Sequence, residues 1–183
     1  MNEKDLRRDL FKLIYNEAFF KKRILLSSGK ISSFYVDVRK ISLKSKGAFL
    51  IANLLWKELE KEKFSAVGGP TLGADPILSS LAYHAHIKRK CLKTFIVRKS
   101  AKKHGRAKII EGPNIPKNSK VIIIDDVATT GKSLVEAIQK LRTLKINVTK
   151  AFVVVDREEG AGEALSGYGC PLQSLFKLRE FTE

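Results

Sequence analysis

Val121, Ile122, Ile123 and Ile124 form an unbroken apolar run that ends on two adjacent acids, Asp125 and Asp126. A strand that is apolar at every position has both faces covered, as happens in a parallel sheet with helices packed on each side. The rest of the chain alternates in the way such a sheet requires. Leu6, Leu10, Leu13 and Ile14 fall at helical spacing and predict a helix from about Lys4 to Phe19. The stretch SSGKISSFYVDVRKISL then alternates like strand and turn, and Ala48, Ile51, Ala52, Leu55 and Leu59 predict a second helix ending near Lys61. FSAVGGP reads as a short strand, Asp75 to Ala85 as a helix and KTFIVRK as a strand. After Val121–Ile124 come a helix over about Lys132 to Leu144, the strand VTKAFVVVD, a short helix near Gly162 to Leu165, and a last strand, LQSLFKL. The prediction is an α/β fold, one domain over 1–183, with a central parallel sheet flanked by helices and its ligand at the carboxyl ends of the strands. One segment stands apart: the polar connection from Ala101 to Lys120 is long for a compact domain unless it serves as a lid or has no fixed structure.

The acids lead into Val127-Ala128-Thr129-Thr130-Gly131-Lys132-Ser133. Gly131-Lys132-Ser133 suggests a nucleoside triphosphate loop, but that motif needs a glycine five positions before Gly131, where this chain has Asp126. What remains is a strand end, an acidic pair, a hydroxyl-rich turn and a helix start, whose backbone N–H groups suit a phosphate. Acids beside such a turn call for another part of the same ligand, and sugar hydroxyls or a hydrated Mg²⁺ fit them. An acidic pair taken alone is more often a simple cap.

A net charge of +16, from 35 Lys and Arg against 19 Asp and Glu, favours polyanionic partners. Arg98, Lys99, Lys102, Lys103, Arg106 and Lys108 crowd into eleven positions with His104 among them. Such a run is usually a solvated loop; its sharper reading is a lid over a highly charged anion, most useful where a leaving group gains negative charge. Cys91 and Cys170 are too few and too far apart for a disulfide framework or metal cluster. No apolar run approaches the ~18 residues of a membrane span, and Met1-Asn2-Glu3-Lys4-Asp5 does not open a signal peptide, so a cytoplasmic protein is expected.

Residues 121–133 closely resemble the ribose-phosphate signature of the type I phosphoribosyltransferases. The segment from Arg98 to Gly105 is similar to the mobile catalytic loop of the orotate-specific members, with Arg98, Lys99, Lys102, His104 and Gly105 matching in place. SSGKISSFYVDVRK is similar to their amino-terminal hood, and GGPTLGADP to their pyrophosphate loop. The resemblance implies the type I phosphoribosyltransferase fold, with a hood mainly from 1–40 and residues near 157, a core over about 45–180 and a lid over about 99–110. It implies transfer of ribose 5-phosphate from phosphoribosyl pyrophosphate (PRPP) to orotate, with Mg²⁺ held mainly by PRPP and water. PRPP would be bound by Arg98, Lys99, Lys102, His104, Asp125, Asp126 and the turn from Val127 to Ser133. Lys102, His104, Asp125 and Asp126 would be catalytic. Orotate would meet Phe34, Tyr35, Thr129 and Arg157, although side chains alternate along a strand and one of the aromatic pair should turn to the core. The family's lid works across a homodimer. Some bacterial relatives carry lysines that help hold pyrophosphate at the positions of Ser27 and Gly73, which leaves open how much of that anchoring the site's own subunit supplies. The rivals are a purine phosphoribosyltransferase and a PRPP-sensing regulator that binds nucleic acid; lid and ligands account for much of the basic excess, so a nucleic-acid partner is not expected.

Overall fold

The computed structural model describes residues 2–25, 31–100 and 108–182. Helix α1 (Glu3–Glu17) starts at Asn2, whose side chain accepts the Asp5 N–H at 2.9 Å, and buries Leu6, Leu10 and Ile14 along one stripe. It ends before the predicted Phe19, because Phe19 opens a strand instead. Strand β1 (Phe19–Leu25) pairs antiparallel with β2 (Ile31–Val36), and this hairpin stands as a small sheet of its own. The Phe19 ring stacks on Phe34 at 5.5 Å and on Phe181 at 5.8 Å, a packing gain that a further helical residue would forgo.

A short helix, α2 (Arg39–Ser42), leads to α3 (Ser45–Leu59). Then follow β3 (Ala66–Pro70), α4 (Ala74–Ile87), β4 (Thr94–Val97), β5 (Ile110–Glu111), β6 (Lys120–Ala128), α5 (Lys132–Thr143), β7 (Asn147–Asp156), α6 (Ala161–Ser166) and β8 (Leu172–Lys177). A 3₁₀ turn, Leu178–Phe181, closes the described chain. The main sheet runs β5-β4-β3-β6-β7-β8, parallel throughout except at β5. Ile122 and Ile124 face the layer of α1, α3 and α4, while Val121 and Ile123 face that of α5 and α6. That division is why the run of four has no polar position. Among the described residues no helix is long and apolar enough to cross a membrane.

Two further boundaries differ from expectation. The connection after Ala101 contains β5, which pairs antiparallel with β4 through Val97 opposite Ile110. Strand β6 does not stop at Ile124 but continues through both acids, because β7 pairs with it as far as Ala128 opposite Asp156.

Candidate active site

Strands β3, β4, β6 and β7 end at one pole, and β6 outruns its neighbour there: its register with β3 finishes at Gly68 opposite Ile123. Beyond that point the carboxylates take up backbone donors themselves. The Asp126 N–H donates to Asp125 Oδ1 at 2.9 Å, and the Val127 N–H to Asp126 Oδ1 at 2.8 Å. Ser133, in the first turn of α5, donates to Asp125 Oδ2 at 3.1 Å. Thus one acid ties the strand end to the start of the next helix.

Asp125 is only 6% exposed. Burial, and then the charge of Asp126 beside it, pushes its carboxyl well above the ordinary carboxylate range; burial likewise raises Asp126. The pair lies directly against the loop after β3. A Cβ placed on Gly73 would stand 2.4 Å from Oδ1 of each acid, so the loop approaches this closely because residue 73 is glycine. Any side chain there would require another arrangement of the pair.

The two acids line a cavity of about 390 Å³ together with Tyr35, Asp37, Arg39, Thr71, Gly73 and Arg157. A second hollow of about 270 Å³ adjoins it, formed by Thr129, Thr130, Gly131, Lys132 and Glu136, and the two share Lys99, Val127, Thr129 and Ser133. Gly131 makes the turn possible: it holds φ at 76° as the cap of α5, a value that side chains disfavour. The N-terminus of a twelve-residue helix therefore faces the smaller hollow, with three hydroxyl side chains around it. Two larger hollows, of about 600 and 690 Å³, lie elsewhere, and neither presents a carboxylate.

The main cavity is also lined by Arg157, 4% exposed. It pairs with Glu159 at 2.8 Å, donates to the Phe34 carbonyl at 3.2 Å, and so ties the hairpin to the end of β7. Of the two aromatics, Tyr35 lines the cavity, whereas Phe34 turns to Phe19 and the core and brings only its carbonyl toward Arg157. Ala128 is buried beneath the turn, where its carbonyl accepts the Arg157 N–H at 2.9 Å. Arg98 stays outside both hollows and pairs with Glu111 at 3.1 Å. Its N–H donates to the Ile109 carbonyl at 2.9 Å, and Lys140 donates to the carbonyls of Arg98 and Lys99 at 2.9 and 2.7 Å, so both roots of the basic segment are fixed. Lys102 and His104 lie outside the described residues, as does Ser27.

The sequence reading missed Asp37 and Arg39. Arg39 pairs with Asp37 at 2.9 Å and sits 4.0 Å from Asp126, placing a cation over the acidic pair. The only sequence signal was the D-x-R after the aromatic pair, which looks like an ordinary surface ion pair.

Residues 40–168 match the family model described as the phosphoribosyl transferase domain. The orotate phosphoribosyltransferase of Aquifex aeolicus is 40% identical over 91% of this chain and 88% of its own, and that of Bradyrhizobium sp. is 35% identical over 99% of this chain and all of its own. The chain belongs to the orotate phosphoribosyltransferase family. The crystal structure of the Mycobacterium tuberculosis orotate phosphoribosyltransferase in complex with PRPP superposes with a TM-score of 0.79 at 30% identity, covering 97% of this chain and 99% of that one. The likeness spans both the small hairpin sheet and the main sheet, consistent with the type I phosphoribosyltransferase fold.

Proposed function

We propose that this protein is an orotate phosphoribosyltransferase that makes orotidine 5-phosphate for pyrimidine nucleotide synthesis in the cytoplasm. The observation that carries this reading is the adjacency of two hollows with shared walls: a helix-start turn lines one, while an acidic pair, a buried arginine and a tyrosine line the other. A phosphate, a ribose and a flat carboxylated ring suit that set of groups. In the reaction the C1–oxygen bond of PRPP breaks, pyrophosphate leaves with the electron pair, and a ring nitrogen of orotate bonds to C1.

The turn from Thr129 to Ser133 would hold the 5-phosphate with backbone N–H groups and hydroxyls. Asp125 and Asp126 would accept from the ribose hydroxyls and stabilise the sugar as positive charge develops. Arg157 and Tyr35 would place orotate, and Lys99, on the wall between the hollows, would face the phosphates. Lys102 and His104 are proposed to close over pyrophosphate and supply its proton. For Mg²⁺, the described residues offer no group of three His, Cys, Asp or Glu that could cage a metal, yet the carboxylates of Asp37, Asp125 and Asp126 give the cavity an acidic wall. That donor set suits an ion arriving on PRPP oxygens and water, with the acids as outer partners. Bound so, Mg²⁺ would neutralise charge on the departing pyrophosphate.

We further propose a symmetric homodimer with the lid acting in trans. Phe49, Tyr83 and Ile87 are 53%, 71% and 60% exposed around the hollow of about 690 Å³ between α3 and α4, whose floor includes Ala48, Ala52, Ser79 and Ser80. Large side chains beside a small-residue hollow on one face are what an isologous contact requires.

Orotate absorbance should fall only with both PRPP and Mg²⁺ present; turnover of adenine or hypoxanthine, with orotate inert, would overturn the assignment. Arg157→Lys keeps the charge but loses the planar fork, and should raise the orotate KM on the order of ten- to a hundredfold, the worth of a hydrogen bond to a charged group. The PRPP KM should stay nearly constant. Equal rises in both constants would make Arg157 a strut between β2 and β7.

A further inference from the structure

The parallel strands also share a starting pole, on the opposite side from the site. There β4, β3, β6 and β7 lie side by side, with Val67 opposite Thr94, Ala66 opposite Val121 and Lys120 opposite Asn147. The loops that feed these starts carry Lys63, Lys90, Lys93, Lys117, Lys120 and Lys145, all exposed. Backbone bonds lock the loops together: the Val67 N–H donates to the Lys93 carbonyl at 3.0 Å, Ser65 to Lys120 at 2.8 Å, and Asn118 to Lys145 at 2.6 Å. None of the six lysines has a carboxylate partner among the described residues, and Glu62, next to Lys63, is taken by Lys150. None belongs to the basic segment around Lys102 either, so lid and substrates do not account for this charge.

Two of these loops keep a cation where backbone conformation favours glycine. Arg89 and Lys145 hold φ at 56° and 59° in the left-handed position that closes α4 and α5. There the Lys90 N–H reaches the Ala85 carbonyl at 2.9 Å, and the Ile146 N–H the Leu141 carbonyl at 3.0 Å. Side chains disfavour that position. A cation near a helix end is favoured by the dipole, but α5 already has Lys140 and Arg142 in its last turn for that purpose.

We propose that this pole is a docking surface for single-stranded nucleic acid, held through its phosphate backbone. Strands ~4.8 Å apart make the row from β4 to β7 about 14 Å long. The lysine-bearing loops at the four strand starts offer about four phosphate contacts to one strand. A row of strand starts that each bring a lysine matches a linear polyanion better than the scattered carboxylates of a folded acidic protein. The surface is separate from the cavity: Lys120 opens β6, and Asp125 follows about 16 Å further along the strand.

The test uses the full chain and fluorescence anisotropy with labelled oligouridylate and oligothymidylate, which separate RNA from DNA. Binding should weaken steeply with salt, with a log–log slope of about −3 for four single-strand contacts. Lys93→Glu, Lys120→Glu and Lys145→Glu combined should lower affinity by about tenfold or more and take about 2 off the slope, while orotate turnover is unchanged. If that variant does not fold, the same three lysines changed to Gln should still flatten the slope. Saturating PRPP should leave oligonucleotide affinity as it was. The proposal is overturned by absence of binding at low salt, by binding that PRPP displaces, by indifference to the lysine changes, or by stronger binding to duplex DNA, anionic vesicles or polyglutamate at equal charge.

Discussion

Asp125→Asn should lower turnover by about 10²- to 10³-fold, the scale of losing one group that stabilises transition-state charge, while the protein melts no lower and even slightly higher than the parent. The two halves of this result have one cause. Asp125 is buried beside Asp126, and both carboxyls are pushed above their ordinary value. An acid whose folded pKa exceeds its unfolded one binds protons more readily in the folded state. The pair's contribution to stability is therefore greatest at low pH and is lost as the pH rises from near 3.8 through the raised value. At neutral pH the ionised pair costs stability, and an amide removes one of the charges. Asparagine gives up part of the acceptance from Ser133 and the Asp126 N–H, which offsets some of the gain. Each net kcal/mol would appear as about 2–4 °C in Tm for a domain of this size. Melting curves across pH, beside PRPP kinetics, check both halves, and the variant's stability should fall less with rising pH than the parent's. A fully active variant would defeat the sugar-binding role. An inactive variant with a much lower Tm would mean that the acid holds β6 to α5 and is structural.

The site was legible where side-chain chemistry is local, and illegible where it depends on which strands meet. The acidic pair and its turn are one contiguous segment, so their joint use could be read from residues 121–133 alone. That the strand runs through the acids could not, because the pairing that extends it belongs to β7, from Asp125 opposite Val153 to Ala128 opposite Asp156. Strand alternation required that Phe34 and Tyr35 divide between core and cavity. Which goes where was decided by Phe19, and the helical period of α1 had hidden the start of that strand. Arg39 was missed for a related reason. Its partner Asp37 is two residues away, but its reach to Asp126 exists only because the hairpin folds over the end of β6. Charge shows the same limit: +16 is a property of the composition, whereas a row of lysines at the start of four strands depends on strand order.

Subunit mixing offers the other large effect. Lys102→Ala should lower turnover by about 10²- to 10³-fold if that side chain supports the departing pyrophosphate. Alone, it does not say whose site the lysine serves. Mixed with Asp125→Asn, it does. In a heterodimer whose lids act in trans, the Lys102→Ala chain contributes an intact acidic pair and receives an intact lid from its partner. The other site has both defects. Random exchange makes half the dimers mixed with one good site each, so about a quarter of parental activity should return. If each lid served its own chain, every site would keep one defect and no activity would return. The contact required is proposed to lie on the α3–α4 face, where Tyr83 and Ile87 stand exposed beside the hollow. A charge placed there, as in Tyr83→Glu, should leave the monomer fold intact, since the side chain packs little within its own chain, yet should abolish both the dimer seen by light scattering and the recovery on mixing. A Tyr83→Glu protein that still dimerises and still recovers activity on mixing would rule out this face as the route by which one subunit reaches the other.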